Sequence, residues 1–285
     1  MARVIRFTKM HGLGNDYIYV WAPLLPRDAD PAKLSVLLSD RHTGIGADGL
    51  ILIAPSRKAD FSMRILNADG SEAQMCGNGA RCVGKYVHDK GLTAKTDITL
   101  ETLSGIKYLT LHPGADGKIS SVTVGMGAGV PLDVVRGDGQ KSPWIGETID
   151  IGEGPTVCTA IDMGNPHLVM FVTDAEEAHV SGIGPLMERS PMFPGGANIE
   201  FAQVMDRRHI RMRVWERGSG ITRACGTGAC ATAVASAMQG YTDPGDCQII
   251  MDGGTLAVSW DPVSREVLMT GPATLVFEGK IEICE

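Results

Sequence analysis

Cys76-Gly77-Asn78-Gly79-Ala80 returns 149 residues further on as Cys225-Gly226-Thr227-Gly228-Ala229. The match extends upstream. Met63-Arg64-Ile65-Leu66-Asn67 stands against Met212-Arg213-Val214-Trp215-Glu216 at the same offset, and Gly14-Asn15-Asp16-Tyr17 against Gly164-Asn165-Pro166-His167 one residue off it. Three landmarks in one order at nearly one offset mark an internal duplication, and the period is too long for a solenoid. The chain therefore reads as two homologous domains. Its 285 residues also exceed the usual domain size of about 100–200 residues.

Around these landmarks, short apolar and β-branched runs predict strands. They fall at 49–53, 63–67, 98–102, 106–111, 121–124, 156–161, 167–172, 212–216, 249–251 and 256–260, after a first strand in Met1-Ala2-Arg3-Val4-Ile5-Arg6-Phe7. Helices are expected at 31–39, 77–90 and 226–239, the last rich in alanine, the best helix former. Two of the three begin right after the repeated cysteines. The expected class is α+β: two homologous pseudo-twofold domains, each a curved, mostly antiparallel, barrel-like sheet around a central helix. The glycine-rich stretch Gly125–Gly129, followed by Pro131, reads as the boundary.

Composition narrows the function classes. The net charge is −7, and lysines and arginines are scattered, so nucleic acid is not expected as a partner. No apolar run approaches the eighteen or so residues of a membrane span, and the N-terminus lacks the pattern of a signal peptide. Seven cysteines fit free thiols in a reducing cytoplasm better than a disulfide framework. No two are spaced C-x-x-C, and there is no H-E-x-x-H or P-loop, so no metal site is expected. Cys82, Cys158, Cys230, Cys247 and Cys284 read as small buried or incidental residues. Gly44-Ile45-Gly46-Ala47-Asp48-Gly49 fits G-x-G-x-x-G, but a dinucleotide site needs a strand before it, and residues 39–43 read as a loop.

The repeated cysteines sit where chemistry is possible. A thiol at a helix N-terminus meets the positive end of the helix dipole and unbonded N–H groups. Its pKa is expected below the usual value of about 8.5. The glycines after it let a ligand approach the backbone, and the same N–H groups suit a carboxylate. One such turn is more often structural than functional; two, at matching points of duplicated halves, point to function. A thiolate that takes a proton from one face of a carbon and a thiol that returns one to the other face invert a stereocentre without a cofactor. Two helix ends on one carboxylate stabilise the charge that develops there, and excluding water strengthens the effect.

These residues resemble the diaminopimelate epimerase family. The matching strings are Met10-His11-Gly12-Leu13-Gly14-Asn15-Asp16, Asn67-Ala68-Asp69-Gly70-Ser71-Glu72, Cys76-Gly77-Asn78-Gly79-Ala80-Arg81-Cys82, Met163-Gly164-Asn165-Pro166-His167, Asn198, Glu216-Arg217-Gly218 and Ala224-Cys225-Gly226-Thr227-Gly228-Ala229. They run in family order over nearly the whole chain. The resemblance implies a cofactor-independent isomerase, a cytoplasmic homodimer, that interconverts LL- and meso-diaminopimelate for lysine and peptidoglycan synthesis. It implies that Cys76 and Cys225 are the acid/base pair, assisted by His167 and Glu216. It also implies that Gly77, Asn78, Gly226 and Thr227 cradle the reacting carboxylate, and that Asn15, Asn67, Asn165, Asn198, Glu216 and Arg217 hold the rest of the substrate. The chemistry suits these roles: Arg217 offers a planar fork for a carboxylate, the asparagines offer donors and acceptors for a zwitterion, and Glu216 accepts from an ammonium. The family also suggests that residues 272–285 return to complete the first domain. That gives one domain of 1–125 with 272–285 carrying Cys76 and one of 126–271 carrying Cys225.

The chain departs from the family pattern twice. Some members place Gln where this chain has Gly49, and some carry a Tyr tied to dimer formation where it has Phe277. The rival enzyme reading is a proline or hydroxyproline racemase, which also uses two cysteines but tends to carry His after the first Cys-Gly. Rivals of other classes are a thiol redox sensor and a non-catalytic amino-acid binding protein.

Overall fold

The structure is a computed structural model that describes residues 3–150 and 154–283. Cys284 lies outside the described residues. The chain divides into two units, Met1–Val124 with Gly271–Glu285, and Gly125–Thr270.

The first unit opens with β1 (Arg3–Gly12) and β2 (Asn15–Trp21), then α1 (Pro31–Ser39), β3 (Gly49–Pro55), β4 (Phe61–Asn67), β5 (Glu72–Ala73) and α2 (Gly77–Asp89). It continues with β6 (Asp97–Thr102), β7 (Gly105–Pro113) and β8 (Ile119–Ala128), whose tail belongs to the second unit. There β9 (Val130–Pro131), β10 (Asp133–Val135), β11 (Lys141–Pro143) and β12 (Glu147–Asp150) lead to β13 (Pro155–Asp162), β14 (Pro166–Phe171), α3 (Val180–Glu188), β15 (Asn198–Val204) and β16 (His209–Glu216). Last come β17 (Gly220–Ile221), α4 (Gly226–Met238), β18 (Cys247–Met251), β19 (Gly254–Trp260), β20 (Glu266–Pro272) and β21 (Thr274–Ile283). Strand β21 pairs antiparallel with β1, from Arg3 opposite Ile283 to His11 opposite Thr274.

The duplication holds pairing by pairing. β1 and β2 form an antiparallel hairpin through Leu13-Gly14, as β13 and β14 do through Met163-Gly164-Asn165. Gly14 and Gly164 both carry positive φ, 87° and 92°, which a side chain resists. β2 then runs parallel to β3, with Tyr17 opposite Gly49, and β14 parallel to β15, with His167 opposite Asn198. Antiparallel β3–β4 answers β15–β16, and parallel β4–β6 answers β16–β18. By this register Gly49 is the counterpart of Asn198, and Ile51 is the counterpart of Glu200.

Each unit wraps strands around one buried helix. α4 is buried without a break from Gly228 to Ser236, and it packs on β13, β14, β15, β18 and β19. A helix apolar on every side belongs in a core, and its alanines let strands approach closely. α2 packs through Gly84, where a Cβ would lie 2.6 Å from Leu111. Outside it, α1 covers β3 and β4 through Leu34 and Leu38, within a cluster that includes Ile18, Leu50 and Leu66. Asp30 caps α1, accepting from the amides of Ala32 and Lys33.

The helix α3 is absent from the sequence expectation for a physical reason. Val-Ser-Gly-Ile-Gly-Pro-Leu-Met-Glu carries two poor helix formers and an internal Pro185. Packing overrides propensity: a Cβ on Gly184 would lie 2.6 Å from Trp215 Cβ and Cγ, so only a bare backbone fits against that side chain. Gly44–Gly49 follows α1 and leads into β3, the reverse of the strand-to-helix order that a dinucleotide loop requires. Among the described residues no helix is long and apolar enough to cross a membrane.

Candidate active site

Each repeated cysteine is the N-cap of its unit's central helix. Cys76 and Cys225 have extended backbones, and each Sγ accepts from the amide three residues on, Gly79 or Gly228, at 3.3 Å. The thiol takes the part that Ser or Asp plays in an ordinary cap. The next two amides, of Gly77 and Asn78 or of Gly226 and Thr227, open the helix and have no carbonyl within it to bond. Both caps thus offer a sulfur beside two N–H groups.

Around Cys76 stand side-chain amides and the Tyr17 hydroxyl. Its Sγ donates to Asn15 Oδ1 at 3.4 Å, and Asn78 Nδ2 donates to the same oxygen at 3.4 Å. Asn15 is held in turn: its Nδ2 donates to Asp48 Oδ2 at 2.9 Å, and Arg41 bridges Asp48 and Asp16. Lys9 closes the network by an ion pair with Asp16 and a bond to the Gly46 carbonyl. Burial works against the charge on Asp16, yet Arg41 and Lys9 hold its carboxyl below the usual range. Arg81 is fully buried and fixes Asn78, donating to its Oδ1 at 2.7 Å and to the Pro272 carbonyl at 3.1 Å. Asn67 is not drawn into this cap; its Nδ2 donates to Ser71 Oγ at 2.9 Å. Gly49 has no room for a side chain, since a Cβ would lie 2.2 Å from the Leu66 carbonyl.

Around Cys225 the partners are carboxylates. Glu216 lies against its Sγ and accepts from Thr222 Oγ1, while Thr227 Oγ1 is 3.6 Å from the sulfur. The expected fall in thiol pKa does not hold here. Burial pushes the Cys225 thiol well up, the charges of Glu216 and Glu200 push the same way, and the bonds from Thr227 and Gly228 oppose them without prevailing. Burial also raises Glu216, against the bonds from Thr222 and Cys225. The helix end is present, but in a dry site flanked by negative charge it does not decide the titration.

His167 is fully buried; its Nδ1 lies 2.7 Å from Glu200 Oε1 and its Nε2 3.2 Å from Asn165 Oδ1. Asn198 Oδ1 accepts from the Arg217 amide at 2.8 Å, and Arg217 Nη1 donates to the carbonyl of Gly195 at 2.9 Å. Glu188, from α3, secures the turn: its carboxylate accepts from Trp215 Nε1 at 2.6 Å and from the Gly218 amide at 3.1 Å.

The structure thus joins Asn15, Cys76 and Asn78 in one unit. In the other it joins Asn165 with His167, Glu216 with Cys225 and Thr227, and Asn198 with Arg217. Sequence reasoning missed Asp48, Arg81, Glu188, Glu200 and Thr222. Asp48, Arg81 and Thr222 lie inside or beside quoted strings, where spacing alone does not separate them from solvated residues, whereas Glu188 and Glu200 carry no such signal. Of the remaining cysteines, Cys82, Cys158, Cys230 and Cys247 are buried. Burial pushes the Cys82 and Cys247 thiols up to about 11 and the Cys158 thiol up to about 12. Among the described residues, no group of three or more His, Cys, Asp and Glu could hold a metal ion.

Comparison with known proteins shows the family and the fold. The diaminopimelate epimerase family model matches residues 7–130 and 159–276. A diaminopimelate epimerase of Bacteroides thetaiotaomicron is 55% identical over 283 residues, 99% of this chain and 100% of the relative. One of Methanococcus maripaludis is 47% identical over 280 residues, 98% of this chain and 100% of the relative. Among solved structures, a PhzF-family phenazine biosynthesis protein of Bacillus anthracis superposes with a TM-score of 0.72 at 17% identity, over 99% of this chain and 100% of its own. A hydroxyproline epimerase of Agrobacterium vitis does so with a TM-score of 0.66 at 17% identity, over 98% and 91%. At such identities the structures share the fold alone.

Proposed function

The chain belongs to the diaminopimelate epimerase family, and we propose on that footing that it interconverts LL- and meso-diaminopimelate by two-base proton transfer between Cys76 and Cys225. The observation that carries the mechanism is the repeated cap, a thiol beside two unbonded amides at the start of each central helix. One cysteine, as thiolate, takes the α-proton. The electron pair left on carbon delocalises into the carboxylate, which the amides of Gly77, Asn78, Gly226 and Thr227 receive. The other cysteine, as thiol, delivers its proton to the opposite face, so the net charge is unchanged and the two sulfurs have exchanged roles. Glu216 and His167 act on the thiols' protonation. Asn15, Asn67, Asn165, Asn198, Glu216 and Arg217 bind the substrate's polar groups.

Two further expectations belong to this reading. A homodimer is supported by the exposed apolar side chains of Leu275, Val276 and Phe277 on β21. A cytoplasmic setting follows from the free thiols that the mechanism needs.

The test is exchange of the α-hydrogen with solvent deuterium on diaminopimelate, without pyridoxal phosphate or added metal. Wild-type protein is expected to exchange and epimerise, and Cys76→Ala and Cys225→Ala to lose epimerisation. Exchange with proline but not diaminopimelate would overturn the substrate; normal turnover by either variant would overturn the two-base step.

A further inference from the structure

Two strands of the duplicated fold place different residues at one structural position. In the first unit Ile51 stands on β3 beside the first turn of α2, and a Cβ on Gly79 would meet its Cδ1 at 2.7 Å. In the second, Glu200 stands on β15 beside the first turn of α4, and a Cβ on Gly228 would meet its Oε1, also at 2.7 Å. The fold therefore asks only for a side chain of that reach, and an aliphatic one meets the need in one copy. A fully buried carboxylate in the other copy requires a different explanation, because burying a carboxylate is costly unless it is paired. Its pairing is specific. Oε1 lies 2.7 Å from His167 Nδ1, and both side chains have no exposed surface. The second oxygen, Oε2, is buried with no hydrogen-bond partner. His167 is itself the register counterpart of Tyr17, so both members of the pair differ from the first unit.

We infer that Glu200 is a positioning residue for the epimerisation: its carboxylate accepts the Nδ1 hydrogen of His167 and fixes the ring's tautomer and orientation, with Nε2 turned to Asn165. A carboxylate oxygen accepts, so the hydrogen sits on Nδ1, and the Asn165 amide then turns its Nδ2 toward the bare Nε2. The arrangement follows the logic by which a buried carboxylate orients a catalytic histidine in hydrolases. The other titratable groups facing the pair are Glu216 and Cys225. The charge of Glu200 also favours the neutral form of Cys225, so the same carboxylate bears on both groups.

This rests on the two-cysteine reading above, and the experiment separates the two. The full-length protein is labelled with ¹⁵N-histidine, and the His167 ring signals are assigned by their loss in His167→Gln. In wild type, Nδ1 is expected to carry the proton in the neutral ring. A bare Nδ1 with a protonated Nε2 overturns the inference, whatever the activity and without any variant at Glu200. Glu200→Gln keeps the volume but lets the amide donate or accept, so the tautomer is no longer fixed. It is expected to lower kcat on the order of 10²-fold, with KM within about threefold and the Nδ1–H signature lost. A kcat within threefold of wild type overturns the inference. A wild-type protein that fails to exchange diaminopimelate overturns the mechanism instead, and leaves the tautomer result standing.

Discussion

Gly228 is where the catalytic cap and the buried carboxylate come closest, and replacing it by alanine tests both. A Cβ at this position would lie 2.7 Å from Glu200 Oε1 and 3.2 Å from both Cβ and Sγ of Cys225. Ordinary contact begins at 3.4 Å, so about 0.7 Å must be found on the Glu200 side and 0.2 Å on the Cys225 side. Two effects compete in stability. Alanine is a better helix former than glycine by about 1 kcal/mol, and overpacking a core costs about 1–3 kcal/mol. The net change lies between neutral and about 2 kcal/mol of destabilisation, so the variant should fold. Catalysis has no such compensation. If Glu200 gives way, its 2.7 Å bond to His167 lengthens to as much as about 3.4 Å and weakens; if the cap gives way, the sulfur leaves its place. A misplacement of about 1 Å can cost about 10²-fold in rate, so kcat should fall about 10- to 100-fold with a small change in KM. The assay is solvent deuterium exchange at saturating diaminopimelate, with thermal melting beside it. Gly79→Ala is the internal control. There the clash is with the tip of Ile51, which can rotate, and Cys76 Sγ is at 3.5 Å. Its rate loss should be several-fold smaller. Equal losses in the two variants, or a Gly228→Ala rate within threefold of wild type, would refute the reasoning.

Other perturbations follow from the same contacts. Asp48→Ala frees the Asn15 amide that presents Oδ1 to Cys76; kcat/KM should fall about tenfold, the cost of losing a charge-assisted bond of about 1.5 kcal/mol, and an unchanged value would mean that Asn15 is held otherwise. Glu216 has its pKa raised above the ordinary 4.5 by burial, so its contribution to stability is complete below 4.5 and is lost as pH climbs through the raised value. Glu216→Gln should therefore gain stability relative to wild type across that climb, and a wild-type-minus-variant difference in urea unfolding that stays flat from pH 4 to pH 8 would contradict it. Phe277→Lys places a charge in the exposed apolar run of β21 and should shift sedimentation toward monomer; an unchanged profile would move the dimer face elsewhere.

Much of this architecture is legible in the chain because duplication writes it twice. Three landmark strings locate both caps and the strand ends that carry Asn67 and Glu216, and helix starts after Cys76 and Cys225 follow from glycine and alanine chemistry. The unreadable parts have physical causes. α3 is hidden because packing on Trp215 selects glycine where propensity forbids it. β1 runs past Phe7 because β21, a partner more than 250 residues away, pairs along it as far as His11, and β2 pairs with it as far as Gly12. Glu200 is hidden because an isolated Glu in an apolar strand has no periodic signal, and only register against Ile51 exposes it as an exception. Asp48 sits inside a motif whose glycines draw attention to phosphate binding, while its work is to hold an amide.

The two caps look alike in sequence and differ in chemistry, which bears on the resting state of the proposed mechanism. Both sulfurs accept one helix amide at the same distance. If the helix end alone set the titration, both thiols would be depressed together and two thiolates would repel. A two-base inversion instead needs one thiolate and one thiol before each turnover. The surroundings break the tie. Burial raises the Cys225 thiol and the charges of Glu216 and Glu200 push the same way, so Cys225 is the one held as the thiol; Cys76 stands beside the Asn15 amide and the Tyr17 hydroxyl. On this reasoning Cys225 starts as the proton donor, and the first turnover runs from the stereoisomer whose α-hydrogen faces Cys76. A pulse of each isomer in deuterated solvent distinguishes them: the preferred isomer should yield epimerised, deuterated product in the first turnover, and the other should wait for proton redistribution. Identical first-turnover amplitudes would mean that the carboxylates do not set the resting asymmetry.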